Sequence, residues 1–184
     1  MAELGEVLAD LAARLDARKI PYMVVGGLAN AVWGVPRATV DIDITVVLDP
    51  GEVDELVAEL APQYGARTSR PKEFAKETHV LPLRHVKGTQ VDLILAMLPF
   101  EHEAVSRAVA VDIGGTSVRF CTAEDLVLLK IVSERERDLA DVEALLRRRR
   151  TEIDRSYLDP RIHELATLLM RPDLERRYLD LLKG

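Results

Sequence analysis

Residues Asp41–Ile44 have the sequence Asp-Ile-Asp-Ile, in which carboxylates alternate with branched apolar side chains. Successive side chains of a β-strand point to opposite faces, so a strand would carry both carboxylates on one face. We therefore predict a strand over 40–48, with one end near solvent. An apolar strand over 22–25 precedes it and leads into Gly26-Gly27. Backbone amides at a glycine turn hold phosphate oxygens, and paired carboxylates hold divalent cations, so this region indicates phosphoryl or nucleotidyl transfer.

The composition is typical of a soluble globular protein. The chain has 184 residues, of which 48% are apolar and 30% are charged, and this allows one compact body with an appended subdomain. A net charge of −6 would repel a nucleic acid backbone. The run Arg147–Arg150 is the local exception, and we interpret it as the solvated end of a helix rather than a phosphate-binding patch.

Targeting and redox signals point to one compartment. The amino terminus carries acidic residues where a signal peptide would carry basic ones, and no apolar run approaches the roughly 20 residues of a membrane span. The single cysteine, Cys121, cannot form an internal disulfide. We therefore predict a cytoplasmic protein without a membrane partner.

Short apolar segments separated by turn residues predict a mixed α/β body over 1–120. Glycine-bearing turns flanked by apolar strands predict two antiparallel hairpins in it. In chain order we expect helices over 3–18, 28–33 and 52–60, a loop or flap over 61–77, a hairpin of strands 79–86 and 90–96, a helix over 101–107, and a hairpin of strands 109–113 and 117–120.

From Thr122 onward the apolar period is helical. Thr122 with an acid three residues later is close to a capping box, and it predicts the start of a long helix that ends near Arg148. Two shorter helices should follow, over 158–170 and 172–182. The predicted fold class is α/β (α+β), with a small, mixed, mostly antiparallel sheet flanked by helices and a carboxyl-terminal helical subdomain over 121–184.

A third carboxylate, Asp92, lies in the apolar segment Val91–Ile94. If its strand neighbours the strand of Asp41 and Asp43, three carboxylates converge and raise one another's pKa unless a cation lies between them. Divalent cations roughly 3.5 to 4 Å apart would balance this charge and orient an attack on phosphate. The structural alternative is a tight glycine turn, a solvated acidic face, and an edge or cap position for Asp92. We favour the functional interpretation because these elements occur together.

Together these motifs resemble the signature of the polymerase-beta-like nucleotidyltransferase superfamily. The resemblance lies in Gly26-Gly27, in the Asp-Ile-Asp-Ile segment with Arg37 and Thr39 leading into it, and in the segment around Asp92. It implies the nucleotidyltransferase fold, and the conjunction of motifs is far more specific than any one of them.

The likeness continues into the helical part of the chain. Residues 124–130 and 135–142 follow the pattern of small bacterial nucleotidyltransferases related to the AbiEii-type toxins of abortive-infection systems. The resemblance therefore covers roughly residues 20–146.

The resemblance also implies a role for each matched residue. The carboxylates would hold two magnesium ions, the glycine pair would cradle the triphosphate of a nucleotide, and the carboxylate of Asp92 would help deprotonate the attacking hydroxyl. The implied assignments are metal binding and catalysis by Asp41, Asp43 and Asp92; nucleotide binding by Gly26, Gly27, Arg37, Thr39, Lys130 and Arg135; and support of the site by Asp138 and Asp141.

The predicted long helix has two distinct faces. Lys130, Glu134 and Asp141 would share one face, and Arg135 would fall on the apolar one. A guanidinium there needs a partner, so Arg135 would either pair with a buried acid such as Asp138 or point into the site. For Lys130, Asp138 and Asp141, two interpretations have equal weight: a solvated, salt-bridged helix surface and a direct ligand role.

We predict a magnesium-dependent nucleotidyltransferase, of the EC 2.7.7 type. It would move a nucleoside monophosphate from a nucleoside triphosphate to a hydroxyl acceptor on RNA, a protein or a small molecule, and release pyrophosphate. An RNA would have to touch Arg147–Arg150 and the basic positions between Arg67 and Lys76. A toxin with a cognate antitoxin or regulator is one form of this hypothesis. The alternative is a nucleotide-binding or partner-binding module of the same fold without turnover.

Overall fold

The computed structural model describes residues 2–133 and 135–183. The chain divides into two compact units. The first comprises Met1–Leu28 and Ala38–Cys121, and the second comprises Ala29–Arg37 and Thr122–Gly184. The division into domains at residue 120 stays a prediction, because compactness does not show that either part folds alone.

The first unit contains all of the strands that the described residues form. Its helices are α1 (Ala2–Ala17), the first residues of α2 (Gly26–Trp33), a 3-10 turn (Pro50–Glu52), α3 (Val53–Leu60), α4 (Pro71–Thr78) and α5 (Pro99–Arg107). Its strands are β1 (Tyr22–Val24), β2 (Asp41–Val46), β3 (Tyr64–Ala66), β4 (Val80–His85), β5 (Gln90–Leu95), β6 (Val109–Ile113) and β7 (Thr116–Phe120).

The strands form one seven-stranded sheet in the order β3-β4-β5-β2-β1-β7-β6. The pairs β2–β5 and β1–β7 are parallel. The other neighbouring pairs are antiparallel. The predicted fold class, a mixed and mostly antiparallel sheet flanked by helices, is therefore confirmed.

Strands β2 and β5 show how the sequence leaves part of one sheet face open. In β2, Ile42 and Ile44 are fully buried, and in β5 so are Val91 and Leu93. Asp41 and Asp43 of β2, and Gln90 and Asp92 of β5, alternate with them and are only partly buried. Around these four residues, one face of the sheet therefore packs on the apolar core and the other face carries polar side chains.

The predicted loop over 61–77 is wrong, because this segment contains β3 and most of α4. Only Ala75 is buried in α4, so the helix has almost no apolar stripe by which a sequence pattern could be recognised. Pro71 occupies the start of the helix, where the missing N–H group costs nothing. Strand β3 has three residues at the edge of the sheet.

The second unit is helical. It contains the rest of α2, then α6 (Ala123–Ile131), α7 (Glu136–Arg148), α8 (Arg155–Leu168) and α9 (Asp173–Leu181). The Thr122 hydroxyl accepts a hydrogen bond from the Asp125 N–H and caps α6, as predicted. None of the described helices is long and apolar enough to span a membrane.

The predicted single helix from Thr122 to Arg148 is wrong, since α6 ends at Ile131 and α7 begins at Glu136. The Ser133 hydroxyl donates to a carboxylate oxygen of Asp138 and accepts from the Arg135 N–H. Such local bonds between serine side chains and the backbone compete with helical hydrogen bonds. Glu134, which was predicted on the helix face of Lys130, lies outside the described residues.

Candidate active site

The structure brings the predicted catalytic carboxylates together on β2 and β5. These strands are parallel neighbours in a register that sets Asp43 opposite Asp92 and Asp41 opposite Gln90. Residues opposite each other in a ladder share a face of the sheet, so all three carboxylates lie on the open face. The edge-strand alternative for Asp92 is wrong, because β5 lies between β4 and β2.

Gly26 and Gly27 lie against this face at the start of α2. Gly26 has φ +63°, and a Cβ at this position would overlap the Asp43 carboxylate. At Gly27, a Cβ would lie 2.6 Å from the Thr39 hydroxyl oxygen. The two glycines are therefore required by close approach, and they leave backbone at the helix start next to a carboxylate and a hydroxyl. The predicted neighbourhood of Gly26, Gly27, Thr39 and Asp43 exists within the first unit.

The charge of Asp92 is only partly compensated. Burial raises the pKa of this carboxyl, and the neighbouring Asp41 charge raises it further, while Arg67 opposes both. Arg67 donates from Nη2 to Asp92 Oδ1 over 2.9 Å, and its other terminal nitrogen, Nη1, donates to the Gln90 side chain. Asp41 keeps one buried carboxylate oxygen, Oδ1, without a hydrogen-bond partner.

Arg67 is a site residue that the sequence analysis did not assign. The sequence marks it only as one basic position in the presumed loop, where it was considered for RNA contact. Its partner Asp92 is 25 residues away, so no local spacing connects them. The sequence analysis could have assigned Arg67 to the site only by placing β3 beside β4, the pairing that sets Ala66 opposite Leu83.

The donor set fits magnesium in kind. Asp41, Asp43 and Asp92 offer carboxylate oxygens, the ligands that hard cations prefer. The Oδ1 atom of Asp41 is buried without a hydrogen-bond partner, so a cation beside it would compensate its charge. Over residues 2–133 and 135–183, however, no group of three or more His, Cys, Asp or Glu side chains is already arranged to hold a metal ion. The two-magnesium site therefore stays a prediction.

A second cluster of predicted residues lies in the second unit, around Lys130. The Lys130 ammonium donates to Asp138 over 2.7 Å and to Asp141 over 2.8 Å. All three side chains are less than 10% exposed. The alternative of a solvated helix surface is therefore wrong, since this ion pair network is buried.

Further donors complete the network. Arg37 donates to both carboxylate oxygens of Asp141, at 3.2 to 3.3 Å, and Asn30 donates to one of them. Asp138 accepts from Lys130 and from the Ser133 hydroxyl. Burial raises the pKa of Asp138, but these hydrogen bonds and the nearby positive charges outweigh burial, so its pKa lies below the ordinary value.

Arg135 does not pack on an apolar face as predicted. It is the residue before α7, and its side chain is 72% exposed. Its Nε lies 2.6 Å from an oxygen of Asp138. Of the two alternatives for Arg135, pairing with a buried acid is confirmed. Its nucleotide-binding role, like that of Arg37 and Lys130, stays a prediction.

A protein-family model described as "Nucleotidyltransferase of unknown function (DUF6036)" matches residues 2–183. The chain belongs to this family. Membership agrees with the predicted superfamily and identifies the protein as a nucleotidyltransferase by family. A comparison with curated proteins returned no match.

Solved structures of other nucleotidyltransferases share the fold. An antigenic nucleotidyltransferase-like protein from Paracoccidioides brasiliensis aligns with a TM-score of 0.55 at 21% identity, over 95% of this chain and 91% of that chain. ANT(2")-Ia in complex with adenylyl-2"-tobramycin aligns with a TM-score of 0.57 at 17% identity, over 96% and 99% of the two chains. The lincosamide antibiotic adenylyltransferase LnuA, with lincomycin bound, aligns with a TM-score of 0.50 at 14% identity, over 73% and 91%. At these identities the likeness shows the fold.

Proposed function

We propose that this nucleotidyltransferase moves a nucleoside monophosphate from a nucleoside triphosphate to a hydroxyl group, with a divalent metal ion, and releases pyrophosphate. One observation carries the proposal: Asp43 and Asp92 lie opposite each other on neighbouring strands, and Gly26 lies against the Asp43 carboxylate. This arrangement combines carboxylates with a backbone that can approach a phosphate closely.

The proposed transfer is direct and involves no covalent enzyme intermediate. The acceptor oxygen forms a bond to the α-phosphorus, and the bond between that phosphorus and the oxygen bridging to the β-phosphate breaks. Pyrophosphate leaves with the electron pair, and the acceptor proton passes to the Asp92 carboxylate. The protein contributes mainly by positioning the two reactants.

Asp41, Asp43 and Asp92 would hold magnesium, which when bound neutralises charge that develops on the phosphate oxygens. Gly26 and Gly27 would present backbone amides to the triphosphate. These assignments define which side chains of the first unit an experiment should change.

The second-unit residues have a different proposed role. Lys130 already donates to two buried carboxylates, so we assign it to positioning rather than to direct phosphate contact. Through Asp141 it would orient Arg37, whose side chain is 26% exposed. Arg135 is also exposed, and its ion pair with Asp138 fixes the position of its guanidinium group.

The structural neighbours favour a small-molecule acceptor. ANT(2")-Ia is described with an adenylylated tobramycin, and LnuA is described as a lincosamide adenylyltransferase. Both descriptions therefore associate this fold with an antibiotic and an adenylyl group. The AbiEii-type subgroup, a toxin role and a cognate antitoxin stay predictions, with no observation added by the structure.

Transfer is tested with labelled nucleoside triphosphates, magnesium and cell extract. The wild type should transfer label to an acceptor, whereas the double variant Asp41→Ala/Asp43→Ala should not. Asp54→Asn is the matched control, because Asp54 is an exposed acid in α3. Equal labelling by the wild type and the double variant would contradict the proposal.

The alternative of a binding module without turnover is favoured by one contact. Arg67 occupies an oxygen of Asp92, the carboxylate that would accept the proton. Calorimetric titration with nucleoside triphosphates, with and without magnesium, distinguishes the two functions. Metal-dependent binding without any product in the extract experiment would support the binding module.

A further inference from the structure

An open cleft lies in the first unit between α4 and the strands β3 to β5. Its volume is about 560 Å³, within the range of small-molecule sites. The residues that line it are Arg67, Phe74, Thr78, Val80, Pro82, Arg84, Gln90 and Asp92. Neither the family description nor the roles assigned above account for most of these residues.

The cleft and the carboxylate site share one face of the sheet. Strand β4 pairs with β5 so that Pro82 lies opposite Asp92 and Arg84 lies opposite Gln90. Across β5, Asp92 lies opposite Asp43 of β2. Since opposite residues share a face, a molecule in the cleft lies beside the carboxylate that we propose as the base.

The lining has a definite chemistry. It presents two guanidinium groups, of which Arg67 is already paired with Asp92. Arg84 is exposed and forms no ion pair with any residue in the described part of the chain. An available guanidinium favours a planar acid group, which it binds with two parallel hydrogen bonds.

The rest of the cleft is apolar or neutral. The Phe74 side chain is one of the exposed large apolar groups, at 37% exposure, and it lies near Val80 and Pro82 in the lining. Binding of a flat apolar ligand over an exposed ring of this kind is favourable, because it removes apolar surface from water. A cationic group placed at Arg84 would instead be repelled by its guanidinium group.

We propose that this cleft binds the acceptor, and that the acceptor is a small hydroxylated molecule with a carboxylate or phosphate group and a flat apolar part. This rests on the proposed function, because it identifies the molecule whose hydroxyl oxygen bonds to the α-phosphorus as pyrophosphate leaves and whose proton passes to Asp92. The acid group pairs with Arg84, and the apolar part packs on Phe74. The size of the cleft and the net charge of −6 favour a small molecule over RNA.

Binding is measured without nucleotide or metal, by ligand-observed NMR titration of the full chain. The probes share one skeleton and differ in charge: 4-(2-hydroxyethyl)benzoate, its methyl ester, and 4-(2-hydroxyethyl)benzylamine, with 4-(2-hydroxyethyl)phenyl phosphate as the phosphate counterpart. We expect one or both acids to bind about tenfold or more tightly than the ester, and the amine to bind weakest. Which acid binds better distinguishes a carboxylate from a phosphate acceptor.

The variant Arg84→Glu should weaken binding of the acids by about tenfold or more and leave the ester unchanged. Phe74→Ala should weaken the acids and the ester alike. Arg119→Glu is the matched control, because Arg119 is an exposed arginine on β7 of the same sheet, and it should leave all affinities within about twofold. Circular dichroism establishes that each variant is folded.

Three results would overturn the inference: equal affinity for acid and ester, unchanged acid affinity in Arg84→Glu, or tighter, Arg84-dependent binding of a short RNA. Because no nucleotide is present, these results are independent of the transfer experiment. If the acids bind through Arg84 but no label is ever transferred, the proposed function fails and the anion site stands. If transfer depends on Asp41 and Asp43 while Arg84→Glu changes no affinity, the function stands and this inference fails.

Discussion

The two units each contain a cluster of aspartates, but the clusters differ in how their charge is balanced. In the second unit, Asp138 and Asp141 are buried and accept hydrogen bonds from a lysine and several further donors. In the first unit, Asp92 has one arginine, and Asp41 has a buried oxygen without any donor. The pKa of Asp138 is lowered by its partners, whereas the pKa of Asp92 is raised by burial and by Asp41.

This difference separates carboxylates that are fully paired within the protein from carboxylates that are not. A buried charge with a full set of partners holds helices together, and loss of a partner is costly. Carboxylates with too few positive partners are destabilised in the folded chain, and a bound cation relieves that cost. Residues from both clusters were grouped as one site by sequence, but the structure gives them different environments.

The largest expected effect is on transfer by the first cluster. Asp92→Asn removes the proposed proton acceptor and one metal ligand, so transfer of label should fall by on the order of 10²- to 10⁴-fold. Pyrophosphate release and label transfer in extract measure this loss. The exposed control Asp54→Asn should retain wild-type rates. Near-normal transfer by Asp92→Asn would remove Asp92 from the catalytic group.

The second cluster should respond in stability instead. Lys130→Met leaves Asp138 and Asp141 buried with fewer cations, and the free energy of unfolding should fall by about 3 kcal/mol. This is the lower end of the usual range, because Arg37, Asn30 and Ser133 still donate to the two carboxylates. Urea denaturation followed by circular dichroism measures the change.

The matched control for the buried lysine is Lys87→Met. Lys87 forms an exposed ion pair with Glu6, and exposed pairs contribute little to stability. Lys87→Met should therefore leave the unfolding midpoint almost unchanged. Equal effects of Lys87→Met and Lys130→Met would show that the buried network does not stabilise the second unit.

A smaller difference between variant and control is expected where a glycine approaches the first cluster. Gly26→Ala introduces a Cβ at φ +63° that overlaps the Asp43 carboxylate, whereas Gly114→Ala introduces one at φ +61° with open space around it. The control should lose about 1–2 kcal/mol of stability from backbone strain alone. Gly26→Ala should lose about 1–3 kcal/mol more because of the overlap, together with metal-dependent nucleotide binding. Equal losses in both variants would show that the Asp43 carboxylate moves away from the new Cβ at little cost in free energy.

Sequence periodicity predicted the central sheet because the relevant signals are local. In β2, the alternation of Ile42 and Asp43 follows directly from a buried and an open face. The sequence predicted that Asp43 and Asp92 are close only if their strands are neighbours. The register that makes them opposite depends on contacts between segments far apart in the chain, which no local pattern encodes.

The errors arose where tertiary contacts override local patterns. The break after Ile131 coincides with the hydrogen bonds of the Ser133 hydroxyl and with the burial of Asp138, and neither can be read from helical spacing. Helix α4 lacks an apolar stripe because only Ala75 is buried. Asp92, the partner of Arg67, lies on a strand that was predicted. Strand β3, which places Arg67 beside Asp92, was not predicted. Long-range ion pairs of this kind leave no signal in a single sequence.

The smallest expected effect is the opposite pH dependence of the two clusters. The folded pKa of Asp138 is lowered, so its ionised form stabilises the protein above the unfolded pKa of about 3.9, and this contribution is lost as pH falls through the folded pKa. The folded pKa of Asp92 is raised, so its ionised form costs stability at neutral pH. That cost is relieved as pH falls from the folded pKa towards about 3.9.

Unfolding midpoints between about pH 3 and pH 7 test both signs, since this range brackets the pKa of an ordinary aspartate. Asp138→Asn should lower the midpoint at pH 7 and flatten the decline at the acid end. Asp92→Asn should raise the midpoint slightly at pH 7 and remove the gain that the wild type shows just above pH 4. If both variants shift the profile in the same direction, the contrast between compensated and uncompensated carboxylates is wrong, because it requires the two aspartates to affect folding with opposite signs.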